Sequence, residues 1–226
     1  FESYLNSVFT QKGEGWVEKP LEGVCRFSSG GTPSKKNSRY WNGNIPWVSG
    51  RDMKSTRLSD TALHTSQEAV NESSTRIAPA GALLILVRGM GLAHGAQIAE
   101  LMVPCAFNQD IRAISLDREI VPRYLLFALR TRIDSSDNVL SNAAHGTLKI
   151  DTEGLKKVQI PIPPSEHQQR VVRRIEMLFE ETQHLEAIYQ QKLSALAELK
   201  QSLLQKAFAG ELTAEPEITI KEEAVA

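Results

Sequence analysis

"IPIPPSEHQQRVVRRIEML", residues 160–178, places three prolines within four residues and then carries the chain to Gly210 without another proline or glycine. Each proline fixes its own φ, lacks an amide hydrogen and pushes the residue before it out of the helical region. The prolines therefore make an extended, stiff joint over residues 161–164. Ser165 follows, with Gln168 three residues on. That is the spacing of a capping box, in which the serine oxygen accepts the Gln168 amide and the glutamine side chain reaches back. A helix is expected to open here.

Downstream, Ile175, Leu178, Thr182, Leu185, Tyr189, Lys192, Leu196, Leu199 and Leu203 alternate steps of three and four, and seven of these nine are apolar or aromatic. Gly210, just past Phe208, supplies a C-terminal stop. The span from Ser165 to Phe208 is 44 residues, about 66 Å at roughly 1.5 Å per residue. A repeat of 3.5 residues implies a packed partner helix. Residues 165–210 are accordingly read as a coiled-coil pairing helix, with Ile175, Leu178, Leu185, Tyr189, Leu196, Leu199 and Leu203 in its seam. The alternative is a surface helix lying on its own head. Residues 211–226, rich in Glu and Ala, are expected to form a flexible tail.

Upstream, residues 16–160 read as a mixed α and β head. Residues 82–87 (ALLILV) form a buried strand, and residues 110–116 (DIRAISL) alternate as a half-buried one. Residues 122–132 open on proline and read as a helix. The fold class is thus α+β followed by a long helix. Residues 1–15 hold a further signal. "SYLNSVF" (3–9) parallels "SLLQKAF" (202–208), and Gly-Glu follows each. Short matches arise by chance, but the pattern also fits the end of a preceding copy of the same helix, with a linker. The chain opens on Phe1 rather than Met and so reads as a fragment, or as lacking its leading residues.

Charge is uneven. Residues 1–164 carry 19 Lys and Arg against 16 Asp and Glu, whereas residues 165–226 carry 7 against 11. A mildly basic head on an acidic helix suits a polyanion-binding head on a solvated stalk. The longest apolar run is too short to span a bilayer, and no signal peptide is visible. Cys25 and Cys105 stand far apart with no partner at metal-ligand spacing, and read as reduced core thiols of a cytoplasmic protein. No Walker loop, HExxH or Asn-Pro-Pro-aromatic stretch is present, and Gly89-Met90-Gly91 reads as turn chemistry. No catalytic residue, metal site or cofactor is expected.

Four stretches carry a resemblance. "GGTPSKKNSRYWNGNIPWVSGRDM" (30–53) resembles the start of a target recognition domain in specificity subunits of type I restriction-modification systems. "CAFNQDIRAI" (105–114) is similar to the mid-domain motif of that family. "GTLKIDTEGLKKVQIPIPPSEHQQRVV" (146–172) looks like its domain exit and helix entry, and "LKQSLLQKAFAGEL" (199–212) resembles the end of its conserved helix. The match covers nearly the whole chain in the family's order. It implies a non-catalytic reader of double-stranded DNA that takes one half of a split site. Modification subunits bearing the methyltransferase, and restriction subunits, are the implied partners. Family members usually carry two recognition domains and two antiparallel helices. One domain and one complete helix here imply either the second half of a specificity subunit or a natural half-subunit that pairs with itself. The other readings are the recognition portion of a fused methyltransferase-nuclease and a coiled-coil scaffold without DNA binding.

Lysine and arginine supply phosphate contacts, while Arg, Asn and Gln can read base edges. Lys35, Lys36, Asn37 and Arg39 lie in the polar half of the opening loop, and Arg51 and Lys54 follow it. Arg88 ends the 82–87 strand at a glycine turn that projects it outward. His94, Gln97 and His145 occupy Gly-flanked loops and complete the expected DNA-binding set. Trp41 and Trp47 are assigned to the core, and Tyr40 is left open between the two roles. Asn108 and Gln109 belong to a motif shared by domains with different targets, so a structural role is expected. Paired helices would act as a ruler: about 66 Å over roughly 3.4 Å per base pair caps half-site separation near 19 base pairs.

Overall fold

The computed structural model describes residues 2–10, 13, 15–134, 140–142 and 148–210. In chain order its elements begin with α1 (Glu2–Thr10), β1 (Val17–Pro20), β2 (Cys25–Ser29), β3 (Ile45–Val48), β4 (Arg57–Leu58), β5 (His64–Thr65), α2 (Gln67–Glu72) and β6 (Ile77–Ala78). They continue with β7 (Leu83–Leu86), β8 (Ile98–Leu101), β9 (Cys105–Phe107), β10 (Ile111–Leu116), α3 (Pro122–Asp134), β11 (Leu140–Asn142), β12 (Leu148–Ile150), α4 (Thr152–Lys157), β13 (Gln159–Ile162) and α5 (Ser165–Phe208). The strands expected at 82–87 and 110–116 are β7 and β10, and the expected proline-led helix is α3. The architecture is mixed α and β followed by one long helix.

A run of apolar residues with no polar alternation must be covered on both faces, and β7 is. All four of its residues are buried, in the middle of a five-stranded sheet of order β2-β10-β7-β8-β4. Burying such side chains stabilises by about 1.5–3 kcal/mol each relative to exposure. A second sheet, β5-β3-β9-β6, joins β3 and β9 in parallel. Helix α3 is buried along Tyr124, Leu125, Leu126, Phe127, Ala128 and Leu129, because α1, β8 and β13 all pack on it. Tyr124 donates its hydroxyl to the Pro161 carbonyl at 2.6 Å, and burial pushes its phenol well above the ordinary range.

The two ends of the head meet: β1 and β13 pair antiparallel from Val17↔Ile162 to Pro20↔Gln159. Pro161 and Ile162 are thus part of a strand, and the expected four-residue joint is reduced to Pro163 and Pro164. The capping box is not what forms after it. The Gln168 side chain turns into the head, 1% exposed. It donates to the carbonyls of Pro163 (2.9 Å) and Glu119 (3.1 Å) and accepts from the Val121 amide (2.8 Å). A carbonyl beside a proline-rich turn has few amide donors near it, and this amide side chain supplies one.

The first three turns of α5 belong to the head, and the chain divides into two compact units between Glu176 and Met177. Val172 and Ile175 join the head's core. Ile175 is fully buried there and is unavailable to the pairing seam to which its spacing assigned it. Arg123 holds the last of these turns within the first unit. Its guanidinium lies 3.2 Å from Glu176 and 3.8 Å from Glu100, donates to the Thr56 carbonyl, and covers the Phe127 ring at 4.9 Å. In the second unit the helix keeps its apolar stripe in solvent: Leu185, Tyr189, Leu196, Leu199 and Leu203 are all exposed.

The internal repeat occupies two opposite environments. Leu5 and Phe9 of α1 are buried, with Phe9 edge-on to Tyr124 at 5.5 Å and its carbonyl accepting from Arg132. Their counterparts Leu204 and Phe208 are exposed. The tail over 211–226 lies outside the described residues.

Candidate nucleic-acid interface

The loop over residues 30–44 is held from beneath. A Cβ at Gly30 would strike the Phe107 carbonyl, and one at Gly31 would strike Ser74, so the backbone lies flush against two segments. The Gly31 amide donates to the Phe107 carbonyl, and its own carbonyl accepts from Trp47 Nε1 (3.2 Å) and Thr75 Oγ1 (2.9 Å). Trp47 is buried. Trp41 stands edge-on to it at 5.1 Å, half-buried, and donates to the Ser34 carbonyl. Tyr40 is an anchor too: its hydroxyl donates to Glu72 at 2.9 Å, a bond that raises its phenol pKa.

The cations of this loop stay outside. Lys35 and Lys36 are exposed on a turn. Asn37 Oδ1 accepts from the Arg39 amide and caps the short helical turn Ser38–Trp41. Arg39 lies 3.5 Å from Glu68 with its side chain 74% exposed, so that ion pair contributes little.

A second feature lies where three strands end. Ser49, Gly50 and Arg51 follow β3, Arg88 to Gly91 follow β7, and Asn108 and Asp110 join β9 to β10. With Leu86 they line a cleft of about 400 Å³. Its geometry is fixed by bonds inside the protein. Asp52 accepts from the Ser49 amide and hydroxyl at 2.8 Å each, closing the turn that carries Arg51. The Asn108 amide donates to the Val48 carbonyl, and its Oδ1 accepts from the Asp110 amide at 3.1 Å. Gly89, at φ +145°, allows the chain to turn away directly after Arg88. Among the described residues neither Arg51 nor Arg88 has an acidic partner within ion-pair distance, and both are exposed.

The expected DNA-binding residues therefore divide. Arg51 and Arg88, 37 positions apart in sequence, share one cleft. Lys35, Lys36, Asn37 and Arg39 stay together on the anchored loop. Lys54 is exposed one turn past Arg51, outside the cleft lining. His94 is exposed at the end of the helical turn Met90–His94, and Gln97 is half-buried with its amide on the Gly95 carbonyl at 3.3 Å. His145 lies outside the described residues. Asn108 is buried and internally bonded, and Gln109 Oε1 accepts from Thr32 Oγ1 at 2.7 Å. Asp110 and Met90 complete the cleft and were not singled out by the sequence reading. The Gly-Met-Gly turn marks Met90 alone, and Asp110 stands in the sequence only as the start of the alternating 110–116 segment.

Among the described residues no three His, Cys, Asp or Glu side chains are grouped as metal ligands, and no helix is long and apolar enough to cross a membrane. What the arrangement offers chemically is unneutralised guanidinium, a carboxylate and an exposed thioether at one cleft, beside an anchored loop of lysines.

Residues 13–195 match the family model described as the type I restriction modification DNA specificity domain. The specificity subunit of the Escherichia coli type I restriction enzyme EcoR124I/EcoR124II is 33% identical over 174 residues, which is 76% of this chain and 43% of that protein. The MjaIX specificity subunit of Methanocaldococcus jannaschii is 30% identical over 69% of this chain and 36% of its own length. In structure, the HsdS subunit of Thermoanaerobacter tengcongensis superposes with a TM-score of 0.64 at 20% identity, over 92% of this chain and 50% of that one. A chain from a type I restriction-modification system, solved for its complex assembly and conformational transition, gives a TM-score of 0.70 at 21% identity over the same shares. The chain spans half or less of the length of these relatives.

Proposed function

The chain belongs to the family of type I restriction modification DNA specificity domains, and from that premise we propose that it reads one half of a bipartite DNA sequence without catalysing a reaction. Residues 16–160 act as the recognition domain. The observation that carries this reading is the Arg51–Arg88 cleft, whose two cations have no acidic partner within ion-pair distance among the described residues and so are left for phosphates or for guanine edges. The lysines at 35 and 36 add sequence-independent phosphate contacts from a loop that the tryptophans immobilise. Asn37 serves the loop's shape rather than the DNA.

In this reading the cytoplasmic complex contains methyltransferase-bearing modification subunits and a restriction subunit, and this chain binds no S-adenosylmethionine itself. Helix α5 pairs beyond Glu176 through Leu178, Leu185, Tyr189, Leu196, Leu199 and Leu203, with a second copy or with the other half of a specificity subunit. Ile175 is excluded from that seam by its burial in the head. Beyond Glu176 the helix runs 32 residues to Phe208, about 48 Å, or about 14 base pairs at roughly 3.4 Å each. That is a tighter cap on the ruler than the whole helix allows.

The test is selection from a randomised duplex library by the chain assembled with its modification subunits, followed by binding between 50 and 200 mM salt. Arg51→Ala and Arg88→Ala should each weaken binding and reduce the salt slope by about one. An assembly that selects no sequence, or variants that leave the salt slope unchanged, would defeat the reading.

A further inference from the structure

Met90 is 86% exposed, more than any other large apolar side chain in the described head. Single exposed apolar residues are ordinary on a protein surface. Three observations set this one apart.

First, it is held in place. Gly89 at φ +145° starts the turn, and a Cβ at Gly91 would come within 3.2 Å of Leu86. Leu92, two residues on, is buried, with its amide on the Gly89 carbonyl at 3.3 Å. The backbone under Met90 is thus packed against the end of β7, and the thioether is held out by a fixed turn. Second, Met90 lines the same cleft as Arg51 and Arg88. Whatever polyanion neutralises those guanidinium groups is brought against the methionine. Third, two of the cleft's polar side chains, Asn108 and Ser49, are committed to bonds within the protein. Asn108 is bonded to Asp110, and Ser49 to Asp52. Beside the Asp110 carboxylate, the side chains left at the mouth are two cations and one apolar group.

A duplex offers phosphates to the cations and, in the major groove, one sizeable apolar group to the methionine: the 5-methyl of thymine. We infer that Met90 is a sequence-determining residue that contacts a thymine methyl between phosphates held by Arg51 and Arg88. This rests on the DNA-reading function proposed above. A thioether is polarisable and adapts its shape, which suits a contact that must form only after docking.

The experiment uses the full chain assembled with its modification subunits, on the duplex selected by the unsubstituted protein. Each thymine is replaced singly by uracil, which removes only the methyl group. The expected result is one position where uracil weakens binding about fourfold, the worth of one buried methyl-sized group. Met90→Ala should bind the thymine duplex about as weakly and show no further loss with uracil, while Met90→Leu restores part of the discrimination. An unchanged melting temperature of Met90→Ala verifies that the fold is intact. Wild-type protein indifferent to every uracil, or a sensitivity that persists in Met90→Ala, would overturn the inference and leave the DNA-reading function standing. Failure to select any duplex would defeat both.

Discussion

Replacing Gln168 by alanine should destabilise the head by about 3 kcal/mol. The side chain is 1% exposed and makes three hydrogen bonds, at 2.8, 2.9 and 3.1 Å. Pro163, whose carbonyl it serves, is buried, and Val121, whose amide it accepts from, is half-buried. Leaving those two groups unpaired costs on the order of 1–3 kcal/mol and about 1 kcal/mol respectively. The Glu119 carbonyl, on an exposed residue, can turn to water and adds little. Gln168→Glu sharpens the test. Its carboxylate still accepts from Val121 but cannot donate to Pro163, and it places an anion against two carbonyl oxygens. Its folded-state pKa must rise above that of the unfolded chain. A raised acid pKa means stability that is present at low pH and lost as pH climbs through the folded value, so this variant should recover relative to wild type between pH 7 and 5. Urea unfolding followed by Trp16, Trp41 and Trp47 fluorescence reads the head alone, because the helix beyond Glu176 holds no tryptophan. At a slope of about 2 kcal/mol per molar urea the midpoint should fall by about 1.5 M. A fall below about 0.3 M for Gln168→Ala, or no pH recovery for Gln168→Glu, would refute the view that this glutamine fastens the helix to the head.

Burial pushes the Cys25 thiol up to about 12 and Cys105 to about 11, so neither should react with an aromatic disulfide reagent at pH 8 until the chain is unfolded; rapid native labelling would contradict this. Arg123→Met leaves Glu100, whose carboxyl burial already raises, without its nearest cation, and should cost about 3 kcal/mol at pH 7. That loss should shrink as acid protonates Glu100, and a penalty constant from pH 7 to 5 would argue against the ion pair. Gly31→Ala drives a Cβ into Ser74 and should cost about 2 kcal/mol or more, seen as a lower urea midpoint with altered Trp47 emission. Leu199→Lys, at an exposed position, should leave the head's urea midpoint unchanged. It should also weaken helix pairing by roughly tenfold or more in light scattering, since each buried leucine is worth about 2 kcal/mol.

Local rules placed the elements whose physics is local. A proline cluster followed by 44 residues without a breaker defines α5, because ring constraint and helical periodicity act within a few residues. The apolar run of β7 and the proline-led start of α3 are legible for the same reason. Arg51, Arg88 and the lysines of the opening loop stand out in the sequence as charges beside turn formers, and in the structure all of them are exposed. Tertiary structure alone decided which of these residues meet. Arg51 and Arg88 share a cleft because the ends of β3 and β7, strands of two different sheets, come together in the fold, which no periodicity encodes. Ile175 keeps heptad spacing yet is buried in the head, since a helix's apolar stripe records that a partner exists without saying which one. Gln168 has the spacing of a cap but bonds to Pro163, Glu119 and Val121, because unsatisfied groups brought near by the fold compete with local ones. The same seven-residue pattern is buried at Phe9 and exposed at Phe208. Sequence sets what a segment can bury, and the three-dimensional arrangement sets what is there to bury it against.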